Sequence, residues 1–245
     1  MSIPKTSSLG KPRKGAYALP NLITTTGLLA GFSAIIFAAA SNFHDAAIAI
    51  FIAIGMDILD GKVARATKTS SEFGKEYDSL VDVVAFGLAP ALLVYEWGLE
   101  TLGQLGWLVS FIFLGATAVR LARFNSRTAK DHRYFEGLPC PMAAAIVASF
   151  IWMADAYQIE SEGIELLTLW VVLGIAVCMA SSFPYRSFKD IDGGSASSFI
   201  ALFVLFLLLT ISSLYLPWIL LVLSVTYCAS GPLKWIGYRL RGLPE

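Results

Sequence analysis

The sequence predicts an all-α membrane protein, a bundle of about eight transmembrane helices with both termini on the cytoplasmic side. Three observations predict it. Of 245 residues, 56% are hydrophobic and 15% charged, with a mean hydropathy of +0.68, whereas soluble domains sit near half apolar and a quarter charged. The apolar residues gather into runs of about 20, the length that crosses roughly 30 Å of hydrocarbon. Threaded alternately through a bilayer, those runs also leave the charges sorted by sign.

The first run, 19–40, follows the basic segment KTSSLGKPRKG. That segment either lies along an anionic inner leaflet or is a tail that only sets topology. The run exceeds the roughly 7–15 residues of a signal-peptide core, so the first span is expected to stay as a helix. Within it, Gly27 and Gly31 in GLLAG match a small-xxx-small contact. The second and third runs, 45–65 and 76–97, flank the loop TKTSSE and carry most of the acids treated below. The fourth, 103–125, starts after Glu96 and Glu100 and ends on Arg120 and Arg123. The fifth, 139–157, runs from RYFEGLPCP to Asp155, and the sixth, 163–182, from Glu165 to FPYRSFK. The seventh and eighth, 196–213 and 215–233, lead to Lys234, Arg239 and Arg241.

With the N-terminus inside, all 18 Lys and Arg residues fall on the cytoplasmic side or at a cytoplasmic span end. The outer loops hold Asp45, Glu96, Glu100, Asp155, Glu160, Glu162 and Glu165 without a basic residue. That is the positive-inside pattern, and it supports an even number of spans. Trp97, Trp107, Trp152 and Trp218 fall near outer ends, where interfacial anchors belong. Cys140, Cys178 and Cys228 are too scattered for a metal site or a disulfide framework. No strand alternation and no internal repeat is present.

The acids fall on helix faces. Asp57, Asp60, Gly61, Ala64 and Arg65 occupy i, i+3, i+4, i+7 and i+8, one stripe of a helix. Gly74, Asp78 and Asp82 occupy i, i+4 and i+8 of the next. The short loop makes the two helices antiparallel neighbours, so two carboxylates from each face one another, while the glutamates and lysines between the stripes fall in the turn. At 1.5 Å per residue Asp57 lies about 18 Å below the outer surface, in the cytoplasmic half.

An isolated charge at bilayer depth costs about 2.5–3.5 kcal/mol on insertion scales, and acids packed this closely need a cation among them. Oxygen ligands without His or Cys favour a hard divalent ion, Mg²⁺, Mn²⁺ or Ca²⁺. Four aspartates could hold two such ions and leave positions for substrate oxygens, which suits displacement at phosphorus. Gly61 and Gly74 would let a nucleotide approach the backbone, and Arg65 could take a phosphate. Two other readings stay open here. One is a salt-bridge net with Lys62, Arg65, Lys68 and Lys75. The other is a cation transporter or channel, which is expected to show broken helices and acids reachable from both sides.

The spacing D-x-x-D-G-x-x-A-R-x8-G-x3-D-x3-D, Asp57 through Asp82, resembles the signature of the CDP-alcohol phosphotransferases. LPNLITTTGLLAGF, FGLAPALLVYEW, VRLARFN, RYFEGLPCP and FPYRSFK extend the resemblance toward the integral-membrane members that use L-serine as acceptor. The resemblance implies transfer of a phosphatidyl group from CDP-diacylglycerol to an alcohol, with release of CMP. It implies two divalent ions, Mg²⁺ or Mn²⁺, on Asp57, Asp60, Asp78 and Asp82, with Asp82 as general base. Gly61, Ala64, Arg65 and Gly74, with the aspartates, match its nucleotide-binding positions. It also implies a homodimer in a prokaryotic inner membrane with the site facing the cytoplasm, and no nucleic-acid partner is expected. Residues 19–190 would form the catalytic bundle, 1–18 a basic juxtamembrane segment, and 191–245 two further spans and a tail.

The acceptor contacts are less defined by spacing. Arg120, Arg123 and Asn125 end one span on the cytoplasmic side, and either arginine could take the serine carboxylate or simply cap the helix. Glu136 is a candidate for the serine ammonium. Arg186 and Lys189 could contact phosphate or lipid head groups, or only fix topology. Glycerol 3-phosphate, inositol and choline remain alternative acceptors: the first would call for more basic residues around the aspartates, choline for an aromatic cage.

Overall fold

The computed structural model describes residues 18–67, 69, 71–126, 134–159, 163–186 and 216–240, most of them helical. Helix α1 (Ala18–Ala39) turns sharply into α2 (Phe43–Ala66). Asn42 caps α2, its side-chain oxygen accepting from the Asp45 amide at 3.4 Å. The α1–α2 contact is built on alanine: Ala34, Ala38, Ala46, Ala47, Ala49 and Ala53 are all buried, so the two backbones approach closely. The small-residue pair of α1 serves two partners. A Cβ at Gly27 would lie 3.4 Å from Met56 Cβ on α2, and one at Gly31 would lie 2.8 Å from Ala85 Cα.

Helix α3 (Glu72–Asp82) begins where Ser71 accepts the Gly74 amide on its Oγ at 3.0 Å. This cap sets the start four residues before the expected 76, so Glu72, Lys75 and Glu76 stand on the exposed side of a helix rather than in a turn. The helix continues through a π-helical stretch, Val83–Leu88, into α4 (Ala89–Trp97). The amide of Ala89 reaches back to the Val84 carbonyl. Pro90 explains the widening: it has no amide to donate, and its ring would press on the carbonyl four residues back.

A 3₁₀ turn (Leu99–Leu102) leads to α5 (Gln104–Ser126), followed by α6 (Cys140–Ala156), α7 (Ile164–Ala180) and α8 (Leu216–Leu240). Two short strands, which sequence alternation does not reveal, join the loops after α5 and α7. β1 (Tyr134–Glu136) pairs antiparallel with β2 (Pro184–Arg186), with Phe135 opposite Tyr185. Three-residue strands are too short to show a period. Gly137 follows at φ +78 in a space closed by the Met179 and Ser181 carbonyls, 2.5 and 2.9 Å from where a Cβ would sit.

Four helices among the described residues are long and apolar enough to cross a membrane: Leu19–Ala39, Glu72–Trp97, Gln104–Ser126 and Leu216–Trp235. Helix α2 has the length, with 24 residues, but carries Asp57, Asp60, Lys62 and Arg65. Helices α6 and α7 have 17 residues each, about 26 Å at 1.5 Å per residue. The expected seventh span, 196–213, and the basic segment up to Tyr17 lie outside the described residues.

The core lies between the helices, with Ile50, Phe86, Leu93, Phe113, Leu138, Ile151 and Tyr185 fully buried. Large apolar side chains also face outward on α1, α5 and α7, among them Leu29, Phe32, Phe111, Leu167 and Trp170, as a lipid-facing surface requires. Of the expected interfacial tryptophans, Trp107 and Trp218 are exposed, while Trp97 packs edge-on against Phe150 and Trp152 against His44.

Candidate active site

Helix α1 packs against α2, α3 and the π stretch, whereas direct contact between α2 and α3 is slight. The two acid-bearing helices are therefore held by a shared partner, not as the directly packed pair expected from the short loop. Their carboxylates meet in the space between. Asp57 and Asp60 of α2 and Asp78 of α3 bring ligand oxygens within 4.8 Å of one another. Asp82, one turn beyond Asp78, lines the same pocket. Thr24 and Gly27 of α1, Ala53 of α2, Val81 of α3, and Ala85 and Phe86 of the π stretch complete its wall.

Asp60 is the buried member, 6% exposed, and it accepts a hydrogen bond of 2.7 Å from Thr24 Oγ1. The Pro20 carbonyl is a longer alternative partner for that hydroxyl, at 3.1 Å. Among the described residues no salt bridge joins the four aspartates to Lys62, Arg65 or Lys75. That removes the main support for a salt-bridge net, Lys68 lying outside the described residues. Clustered carboxylate oxygens, that of Asp60 buried, with no direct salt bridge to a basic side chain among the described residues, form a donor set that fits a hard divalent cation.

The nucleotide-binding candidates stay on the same two helices. Arg65 folds back along α2, its Nη1 3.5 Å from where a Cβ on Gly61 would be, and Ala64 lies half-buried beside it. Gly74 sits in a corner, where a Cβ would meet Ser71 Oγ at 3.1 Å and Asn21 Oδ1 at 3.5 Å.

The acceptor candidates separate clearly. Arg120 is 9% exposed and within electrostatic reach of Asp82. Its Nη1 donates to Cys140 Sγ at 3.4 Å, and its Nε has no hydrogen-bond partner. Arg123 instead donates to the Ala180 carbonyl at 3.1 Å, tying α5 to the end of α7. Asn125 donates to Ser79 Oγ at 2.9 Å, tying α5 to α3. Glu136 and Arg186 are placed by backbone pairing in β1 and β2, opposite Pro184 and Tyr134, and their side chains lie outside the described ones. Lys189 lies outside the described residues altogether.

Two features went unread in the sequence. Thr24 was one of three successive threonines in an apolar helix, and only its position over Asp60 marks it out. The π stretch had a signal in Pro90, one turn after Phe86 in FGLAP.

The model of the CDP-alcohol phosphatidyltransferase family matches residues 17–181. A CDP-diacylglycerol–serine O-phosphatidyltransferase of Helicobacter pylori strain J99 is 38% identical over 181 residues, 74% of this chain and 76% of that protein. An enzyme of the same name from Methanocaldococcus jannaschii is 35% identical over 187 residues, 76% of this chain and 82% of its own. An archaetidylserine synthase of Methanothermobacter thermautotrophicus is 33% identical over 183 residues, 74% of this chain and 73% of its own. With the signature aspartates gathered in one pocket and the match running through α1 to α7, the chain belongs to the CDP-alcohol phosphatidyltransferase family.

Proposed function

We propose that this enzyme transfers the phosphatidyl group of CDP-diacylglycerol to the hydroxyl of L-serine, giving phosphatidylserine and CMP. The observation that carries the reading is the gathering of Asp57, Asp60 and Asp78 within 4.8 Å, with Asp82 on the same pocket. Family membership and the names of the relatives support transfer chemistry over cation transport. In this reading Asp57, Asp60, Asp78 and Asp82 hold two divalent cations, Mg²⁺ or Mn²⁺. When bound, these ions supply charge neutralisation at the pyrophosphate and polarise the scissile linkage.

The protein's own residues do the rest. Asp82 takes the proton of the serine hydroxyl, the serine oxygen bonds to the lipid-side phosphorus, and the bond from that phosphorus to CMP breaks. Arg65, beside Gly61, takes a nucleotide phosphate in this reading, with Ala64 and Gly74 keeping the surface low. A pocket bounded by membrane helices admits the diacyl donor sideways while serine and CMP exchange with water. The sorting of basic residues supports a cytoplasm-facing site in a prokaryotic inner membrane, and family likeness supports a homodimer.

The test is CMP release from membranes carrying the full chain, given CDP-diacylglycerol, Mg²⁺ or Mn²⁺, and one acceptor at a time. Serine is expected to drive release and yield phosphatidylserine, while glycerol 3-phosphate, inositol and choline do not. Release indifferent to serine would overturn the acceptor assignment.

A further inference from the structure

Helices α2 and α3 carry the four aspartates but touch each other little, so the placing of one against the other is left to their neighbours. On the α1 side the duty falls on a single turn, Asn21 to Thr25. Thr24 donates to Asp60 Oδ2 at 2.7 Å, which ties this turn to α2. Asn21 and Thr25 meet α3 instead. Asn21 Oδ1 stands 3.5 Å from where a Cβ on Gly74 would lie, and the hydroxyls of Thr25 and Tyr77 are 2.9 Å apart.

The direction of that last hydrogen bond follows from counting protons. A threonine hydroxyl has one to give, and Thr25 Oγ1 donates it to the Asn21 carbonyl at 2.7 Å. Thr25 is then the acceptor, and the phenol of Tyr77 donates to it. The ring of Phe73, one turn earlier on α3, lies nearly parallel to that of Tyr77, with 9° between planes and 6.0 Å between centroids. On the other side of α3, Ser79 Oγ accepts from Asn125 Nδ2 of α5 at 2.9 Å.

Asp78 is thus bracketed. The residue before it is bonded to α1 and the residue after it to α5. Successive residues stand about 100° apart around a helix, so two such bonds on opposite flanks resist rotation of α3 about its axis. The close approach of Gly31 to Ala85 sets how near α3 and its continuation come to α1, but a contact without polar groups has no preferred direction. Among the described residues, Tyr77, Ser79 and Asn125 lie outside the lining of the pocket, whereas Asp78 and Asp82 are in it.

We propose that the Tyr77–Thr25 and Asn125–Ser79 hydrogen bonds form a clamp that sets the rotation of α3, with Tyr77, Ser79 and Asn125 as positioning residues that aim Asp78 and Asp82 at the metal site. The proposal rests on the metal reading above and gives Asn125 a different task from acceptor binding. Its amide serves the aspartates, and the acceptor is held by other groups.

The test is Mn²⁺ binding to the purified full chain by electron paramagnetic resonance, with the KM for serine measured at saturating Mn²⁺. Tyr77→Phe, Ser79→Ala and Asn125→Leu are each expected to weaken Mn²⁺ binding about 3–10-fold, and Asn125→Leu to leave the serine KM within about twofold of its original value. Thr25→Val is expected to match Tyr77→Phe, and the two together to cost no more than either alone, because they remove one bond. Ser79→Thr, which keeps the hydroxyl, is expected to bind Mn²⁺ as the unaltered chain does. Unchanged Mn²⁺ affinity in either Tyr77→Phe or Ser79→Ala overturns the proposal, so failure of one variant to fold leaves the other to decide. A serine KM raised severalfold by Asn125→Leu at saturating Mn²⁺ overturns it as well. If the unaltered chain binds no Mn²⁺, it is the metal reading that fails, a result distinct from the loss of these contrasts.

Discussion

Thr24 shows how much a single side chain can decide at this site. Its hydroxyl is the hydrogen-bond donor to the buried carboxylate of Asp60 at 2.7 Å, and partners that orient a ligand carboxylate are worth about 10–100-fold in metal affinity. Thr24→Val keeps the shape and removes the donor. It is expected to raise the Mn²⁺ concentration for half-maximal activity about 10-fold or more, with a parallel loss in Mn²⁺ binding to the purified protein. The four aspartates were legible in the sequence because helical spacing put them on two stripes. Thr24 was not, because nothing in a run of three threonines says which one faces α2. Arg120 and Arg123 were equivalent by spacing, three residues apart at one helix end. Only the fold separates them, by giving Arg123 a carbonyl and burying Arg120 against Cys140.

The elements were read well where an apolar run had clear polar ends, as for α1, α5, α6 and α7. They were read less well where local chemistry overrides hydropathy. The start of α3 is fixed by the Ser71 cap, the π stretch by Pro90, and the β1–β2 pair by tertiary pairing across the bundle. Gly137 is where that pairing meets α7: its amide donates to the Phe183 carbonyl at 3.0 Å, and the next amide, of Leu138, donates to the Cys178 carbonyl at 3.0 Å. With φ at +78 and carbonyls crowding the Cβ position, Gly137→Ala combines left-handed strain of about 1–2 kcal/mol with a clash. A lower unfolding temperature in detergent than for the unaltered chain is expected. An equal temperature would mean that the junction of β1 with α7 adapts at no cost.

At the scale of the molecule, the fold keeps the acids inside a greasy bundle by dividing the work among helices. Helix α1 lends close alanine and glycine packing, α2 and α3 bring the carboxylates, and α5 brings a buried cation. A mostly helical fold with membrane-crossing helices was legible from composition and from the length of the apolar runs. The arrangement of α2 and α3 around α1 was not, because loop length fixes chain neighbours and not packing partners. The central claim is that the aspartate cluster is a divalent-metal centre. The most direct measurement is Mn²⁺ binding to the purified full chain by electron paramagnetic resonance, alongside Asp57→Asn and Asp78→Asn. The account predicts about two ions bound per chain, as in two-metal phosphoryl-transfer sites, and loss of binding together with loss of CMP release in both variants. Mn²⁺ binding undiminished in both would contradict it.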